Sequence, residues 1–369
     1  VEWAKAGKRV ILVREETKPD DVHGFYASVG ILTSRGGATS HAAVVARAIG
    51  RPAVVGAEGL KVDYSTKTAR AGDVVIKEGD WITIDGFTGN VYVGQVPTIE
   101  PKLPPEFYEL LDMADSVSVF GVKANADTPE DATIARRFGA KGIGLLRTER
   151  MFRAPGRLEL FRSVILSTNA NERRDALNKL AELMRRDFEE IFEIMEGYPV
   201  TVRLFDPPLH EFLPNVEELV AEVTRARALG RPDTEKEALL ARVKALMEAN
   251  PMMGHRGVRL GITFPDIYAA QVKAILEAAL ELKKRGKNIQ VQIMIPQVSE
   301  YKELEYVINN VVKPTAEEVF KNYGDRIDFK VGTMMETVRA CLTADKIAKI
   351  VDFMSFGTND LTQAVFSFS

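Results

Sequence analysis

Two groups of residues in this sequence are equipped for chemistry: a histidine in a glycine-rich turn, and a set of arginines and carboxylates much further along the chain. The histidine is His41, in Arg35-Gly-Gly-Ala-Thr-Ser-His41-Ala-Ala-Val-Val-Ala-Arg47-Ala-Ile-Gly50. Gly36 and Gly37 permit a tight turn, Thr39 or Ser40 can cap a helix, and Gly50 can end it in the left-handed conformation. His41 is therefore expected at a helix N-terminus, where unpaired amides and the positive dipole end attract anions. A neutral imidazole nitrogen is a competent nucleophile, and a phosphoryl group on it would be held by backbone donors together with Arg47 or Arg35. A histidine that merely starts a helix and packs is the plain alternative for this motif taken alone.

The second group lies at predicted strand ends. Arg147 ends GIGLLR, Arg203 lies in VTVRLFD just ahead of Asp206, and Arg256 lies in NPMMGHRGVRL beside the next predicted strand. Three guanidinium groups converging from neighbouring strands suit a phosphate dianion, since each offers a planar fork of donors and a charge that does not titrate. Glu336 closes KVGTMME and Asp360 closes SFGTND. Two hard oxygen ligands from adjacent strands, leaving room for water and substrate oxygens, is the usual way of holding Mg²⁺ in phosphoryl-transfer sites. The turn Gly357, Thr358, Asn359 and Asp360 adds backbone donors that can take a carboxylate. Singly, each arginine also reads as an ion-pair residue, and each carboxylate as a helix-dipole partner. Glu149 and Asp206 are expected to orient the arginines, and His210 and His255 to be structural or to support the residues that touch the ligand.

These residues need elements to position them. From Lys8 to Val93 the chain shows short β-rich runs, RVILV, GILT, PAVVG, VVIKEG and DWITIDGFTGNVYVG, interrupted by one helix, HAAVVARAI. Residues 95–105, QVPTIEPKLPP, carry four prolines and mark a linker. Beyond it, VSVFGVKAN, GIGLLRTE, PVTVRLFDPP, RGVRLGIT, NIQVQIMIPQV, DFKVGTMME and DFMSFGTND alternate with amphipathic runs at 176–195, 217–249, 265–285 and 300–310. Repeated βα units without a Gly-rich dinucleotide fingerprint favour a (β/α) barrel. The fold class expected is α/β: a small domain at 1–100, a linker at 101–118, and an incomplete (β/α)8 TIM barrel at 119–369 with seven strands. Residues 206–250 are read as an inserted helical subregion.

Composition narrows the partners. The chain has 369 residues, with 49 basic and 52 acidic side chains dispersed along it, so neither a nucleic-acid footprint nor a polybasic membrane patch is expected. One cysteine, Cys341, excludes an internal disulfide and fits a reducing compartment, read as the cytoplasm. It lies in a helical run and is expected to be packed. No apolar run is long enough to span a bilayer. The start at VEWAKAGKRV and the stop at QAVFSFS read as the cut ends of a fragment.

The stretch GGATSHAAVVARAIGRPAVVG resembles the phosphohistidine signature of the phosphoenolpyruvate (PEP)-utilising enzymes. GLLRTERMF, TVRLFDPPLHEFLP, NPMMGHRGVRLGITFPDIY, KVGTMMETVRACLTADKIAK and FMSFGTNDLTQ resemble motifs of the dikinase branch of that family, in the same order. The resemblance implies a swivelling domain in which His41 carries the phosphoryl group, and a PEP/pyruvate-binding barrel. Arg147, Arg203 and Arg256 would bind the phosphate, Glu336 and Asp360 the Mg²⁺, and Gly357, Thr358, Asn359 and Asp360 the carboxylate and enolate. It implies a reaction interconverting ATP, phosphate and pyruvate with AMP, pyrophosphate and PEP. The ATP-grasp domain and an eighth-strand cysteine acid would lie outside this chain, and the intact enzyme would be a homodimer through the barrel. Thr39 matches a regulatory phosphorylation position of plant members. A PEP synthase-like enzyme and a non-catalytic phosphocarrier remain the alternatives.

Overall fold

The computed structural model describes residues 1–17, 21–38, 40–98, 105–153, 156–167, 169–250 and 253–367. The chain divides into two compact units, Val1–Pro104 and Pro105–Ser369. Thr39 lies outside the described residues, as does the stretch 99–104.

Among the described residues the first unit holds eight strands: β1 (Ile11–Arg14), β2 (Gly30–Thr33), β3 (Ala53–Val54), β4 (Leu60–Asp63), β5 (Thr68–Ala71), β6 (Val74–Lys77), β7 (Ile82–Ile84) and β8 (Val91–Val93). β1, β2 and β3 form a parallel sheet, β4–β5–β6 an antiparallel meander, and β7–β8 a hairpin. β2 is buried along its whole length, as a continuous apolar run in the middle of a parallel sheet should be. The helix His41–Ala48 packs Ala42 and Ala46 against Ile31 of β2 and against Phe25. Ser40 caps it, its side chain accepting from Ala43 N. At the other end Gly50 adopts φ +64°, Gly50 N donates to Arg47 O, and Arg51 N donates to Ala46 O. That pair of bonds satisfies two carbonyls of the last turn. β4 and β5 escape a sequence reading because LKVD and TARA carry too few apolar residues to show the period of a strand.

The second unit is built on a six-stranded all-parallel sheet that curls into part of a barrel: β9 (Ala124–Asn125), β10 (Ile143–Arg147), β11 (Pro199–Arg203), β12 (Gln290–Ile295), β13 (Phe329–Met335) and β14 (Phe353–Phe356), in sequential order. Among the described residues six strands stand where seven were expected. RGVRLGIT is not a strand: Val258–Thr263 is a helix with Gly257 before it. Gly257 N donates to Asp206 O and Val258 N to Pro296 O, so tertiary partners hold its start at the ends of β11 and β12 and its backbone joins no ladder. VSVFGVKAN forms a strand only at Ala124–Asn125; Val119, Phe120 and Val122 are exposed. A helix, Pro105–Val117, occupies most of the stretch assigned to the linker.

Helices Ala170–Ile194 and Pro265–Lys284 cover the sheet, the second contributing eleven buried residues. The expected single run at 217–249 is two helices, Val216–Ala228 and Thr234–Leu246, because Gly230 takes φ +67°, Pro232 follows, and Asp233 caps the second. The run from Tyr301 continues to Tyr323 through a π-helical segment, Ile308–Val312. Pro314 explains the wide turn: it lacks the N–H that an α-helix would direct to residue 310, and its ring crowds that carbonyl. Phe152, Phe161, Phe205 and Phe212 pack ring to ring beneath the end of β11, with Phe152 and Phe161 stacked at 4.4 Å. Among the described residues, no helix is long and apolar enough to cross a membrane.

Candidate active site

In the first unit His41 is the first residue of its helix, and its ring is exposed. Its Nδ1 lies 3.3 Å from the hydroxyl of Thr17, which is only 7% exposed, and its ring meets Phe25 edge-on at 5.6 Å. The sequence reading missed Thr17, a buried hydroxyl just beyond β1. The turn before the helix requires glycine at position 36, where φ is +111° and a Cβ would sit 2.8 Å from that of Ser40. Arg35 pairs with Glu15 at 2.9 Å, and Arg47 Nη2 donates to Ala38 O. Both arginines offered as phosphoryl partners are thus held by other groups.

In the second unit the arginines meet at the C-terminal ends of the strands, where barrel sites form. Arg147 and Arg203 are register partners on β10 and β11. Each is gripped by carboxylate. Arg203 Nη2 donates to Glu149 Oε1 at 2.6 Å, and Nη1 lies 3.2 Å from Asp206 Oδ2. Arg256 Nη2 donates to the same Asp206 Oδ2 at 2.6 Å. Glu149 and Asp206 therefore hold the arginines, as expected of them. Arg147 is held by Asp127, which sequence reasoning missed although it follows β9 as the others follow their strands. Arg256 sits in the loop leading into the helix at Val258, not beside a strand.

Arg203 and Asp206 are nearly excluded from solvent, and so is Glu336, directly after β13. Burial opposes the charge on Arg203, but Asp206, Glu149 and Glu336 outweigh it and raise the guanidinium above its usual range. Arg203 Nε and Glu149 Oε2 are buried without a hydrogen-bond partner among the described residues. Such atoms in a water-poor cluster are where a ligand's polar groups are accommodated. Burial, and then the charge of Asp206, push the Glu336 carboxyl up to about 7, against the Gln297 N–H and Arg203. Gln297 N donates to Glu336 Oε1 at 2.6 Å from a left-handed backbone at φ +58°.

Asp360 is not at a strand end. β14 stops at Phe356, and Asp360 lies in the first turn of the helix Thr358–Phe366, with Gly357 as its N-cap. The peptide N–H groups at Thr358, Asn359 and Asp360 are then first-turn donors. Gly357 approaches Glu336 closely: a Cβ there would meet that of Glu336 at 2.7 Å. The charges of Glu336 and Asp360 interact, so the two carboxylates share one end of the sheet. Among the described residues no group of three or more His, Cys, Asp or Glu forms a cation cage. The donor set fits Mg²⁺ held by two carboxylates with the remaining positions left to water and ligand oxygens.

The other candidates are structural or uncommitted. His255 Nε2 lies 2.6 Å from the Thr263 hydroxyl, and its ring packs against Phe264. His210 lies in a short 3-10 turn with Nδ1 buried and without a hydrogen-bond partner among the described residues. Cys341 is exposed, contrary to the expectation of a packed thiol, because its helix Val338–Leu342 buries only Ala340.

The chain is similar in sequence to known proteins. The family profile described as "PEP-utilising enzyme, PEP-binding domain" matches residues 105–369, and that described as "PEP-utilising enzyme, mobile domain" matches residues 6–89. The chain is 54% identical over its whole length to a protein named pyruvate, phosphate dikinase from Entamoeba histolytica. It is 48% identical, again over its whole length, to proteins of the same name from Giardia intestinalis and Rhizobium meliloti. It spans 42%, 41% and 40% of those three relatives. A mobile-domain match around His41, followed by a PEP-binding-domain match over the arginine cluster, places the chain in the family of PEP-utilising enzymes.

Proposed function

We propose that the chain forms the phosphoenolpyruvate side of a pyruvate phosphate dikinase, with His41 shuttling the phosphoryl group. The observation that carries this is the strand-end cluster of Arg147, Arg203 and Arg256, each already oriented by a buried carboxylate, beside Glu336. The arginines bind the phosphate of PEP, and the first-turn donors at Thr358, Asn359 and Asp360 take its carboxylate and enolate oxygens, while Gly357 N, which donates to Met335 O, anchors the turn. In the tautomer with the proton on Nδ1, His41 donates to the Thr17 hydroxyl and keeps its lone pair on Nε2. Nε2 attacks phosphorus in line, the P–N bond forms, and the bond from phosphorus to the enolate oxygen breaks. Fixed guanidinium charges stabilise the moving phosphoryl without reorganising. Glu336 and Asp360 would hold Mg²⁺, which would supply charge neutralisation to the reacting phosphoryl group.

The whole enzyme adds an ATP- and phosphate-dependent step through a further domain, so the full reaction interconverts ATP, phosphate and pyruvate with AMP, pyrophosphate and PEP. We place it in a reducing compartment such as the cytoplasm, as a homodimer, with Thr39 as a position for regulatory phosphorylation. The test is to incubate the full-length protein with PEP labelled in its phosphate, plus Mg²⁺, and to look for acid-labile label. Label is expected on His41, abolished by His41→Asn and strongly reduced by Arg203→Ala. Label that persists in His41→Asn refutes the proposal.

A further inference from the structure

Of the carboxylates that orient the arginines, Asp127 makes the densest set of hydrogen bonds, all of them to Arg147. It follows β9 and is 7% exposed. Its Oδ1 accepts from the backbone N of Arg147 at 2.9 Å and from Nε at 3.2 Å, while Oδ2 accepts from Nε at 3.1 Å and from Nη2 at 2.6 Å. Its own backbone is anchored too. Asp127 N donates to Asp131 Oδ2, and the next residue, Thr128, caps the helix Pro129–Arg137. The carboxylate is therefore fixed before it fixes anything else.

We infer that Asp127 is the positioning residue for Arg147, and that it dictates which face of that guanidinium meets the substrate phosphate. The inference rests on the arginine cluster being the PEP site. A guanidinium has two edges that can grip an oxyanion side by side, Nε with Nη2 and Nη1 with Nη2. Asp127 saturates the first. Nη1 has no partner among the described residues, and the Arg147 side chain remains 33% exposed, so the Nη1–Nη2 end is presented to the ligand. Without Asp127, the long side chain would sample many rotamers and would have to be ordered by the ligand at each binding event. Arg150, whose Nε lies 3.5 Å from Asp127 Oδ2, is a more distant and more exposed partner of the same carboxylate, at 60% exposure.

A positioning role differs from a structural one in its dependence on Arg147. In the full-length protein, the reaction of PEP with His41 should be measured for wild type, Asp127→Ala, Asp127→Asn, Arg147→Ala and the Asp127→Ala/Arg147→Ala double variant. Because phosphate binding is lost in ground and transition state alike, Asp127→Ala should raise KM for PEP by roughly 10- to 100-fold and change kcat less. Asp127→Asn keeps an oxygen for the Arg147 backbone N and Nε, and should recover part of the loss. In the Arg147→Ala background, Asp127→Ala should add less than about twofold. An equal effect of Asp127→Ala with and without Arg147, or an unchanged KM in the single variant, overturns the inference while the arginine site stands. An Arg147→Ala variant with wild-type KM overturns the reading of the arginine site itself.

Discussion

Replacing Glu336 by glutamine should make the second unit more stable, chiefly at neutral to alkaline pH. The carboxyl is 3% exposed, and burial together with Asp206 moves its pKa from 4.5 to about 7. An acid whose folded pKa exceeds its unfolded one destabilises the fold once pH rises above the unfolded value. The penalty grows between 4.5 and about 7 and is complete above that. At 1.36 kcal/mol per unit, a rise of this size corresponds to about 3 kcal/mol at pH 8 and about 1 kcal/mol at pH 5. Glutamine keeps an oxygen for the Gln297 N–H and adds no charge. Glu336→Gln should therefore raise the melting temperature at pH 8 by on the order of 10 °C, and far less at pH 5. Far-UV circular dichroism is the suitable probe, because both tryptophans, Trp3 and Trp81, lie in the first unit. Added Mg²⁺ should stabilise the wild type at pH 8 and the E336Q variant much less, since the cation relieves the repulsion that the substitution has already removed. A variant no more stable at pH 8 than at pH 5, relative to wild type, would refute the assignment of Glu336 as a buried charge held against its surroundings.

Two other substitutions follow from local geometry. Gly357→Ala places a methyl group 2.7 Å from Glu336 Cβ, so the chain after β14 must move. We expect a loss of about 1–3 kcal/mol in chemical denaturation and weaker Mg²⁺ binding by calorimetry, whereas an unchanged affinity would separate Gly357 from the cation site. Ser40→Ala removes the side-chain cap from the helix that begins at His41, and should cost about 1 kcal/mol. Tryptophan fluorescence reports this unit directly, and a loss confined to the second unit would contradict the capping role.

Much of the site was legible before the fold was known because its parts obey local rules. The glycine turn, the small capping residue and Gly50 specify a helix at His41 from short-range sterics alone, and the helix runs from His41 to Ala48 as they require. Arg147, Arg203 and Glu336 follow apolar runs too continuous for anything but buried strands or core helices. RGVRLGIT misleads because six residues of mixed polarity satisfy either period, and distant backbone partners, Asp206 and Pro296, settle the outcome. Asp360 misleads in a similar way: SFGTND does not show where β14 stops and the next helix starts.

The sequence by itself determined the helix start at His41, the alternation of strands and helices, and the presence of arginines and carboxylates after strands. Those features depend on neighbours a few residues apart, whose geometry the chain carries with it. Which carboxylate holds which arginine was decided by the tertiary structure alone. Asp127 reaches Arg147 across 20 positions, Glu149 reaches Arg203 across 54, and Asp206 reaches Arg256 across 50, while the register of the parallel sheet sets Arg147 beside Arg203. The elevated pKa of Glu336 has the same origin: it exists only where several elements exclude water together and bring like charges to one end of the sheet.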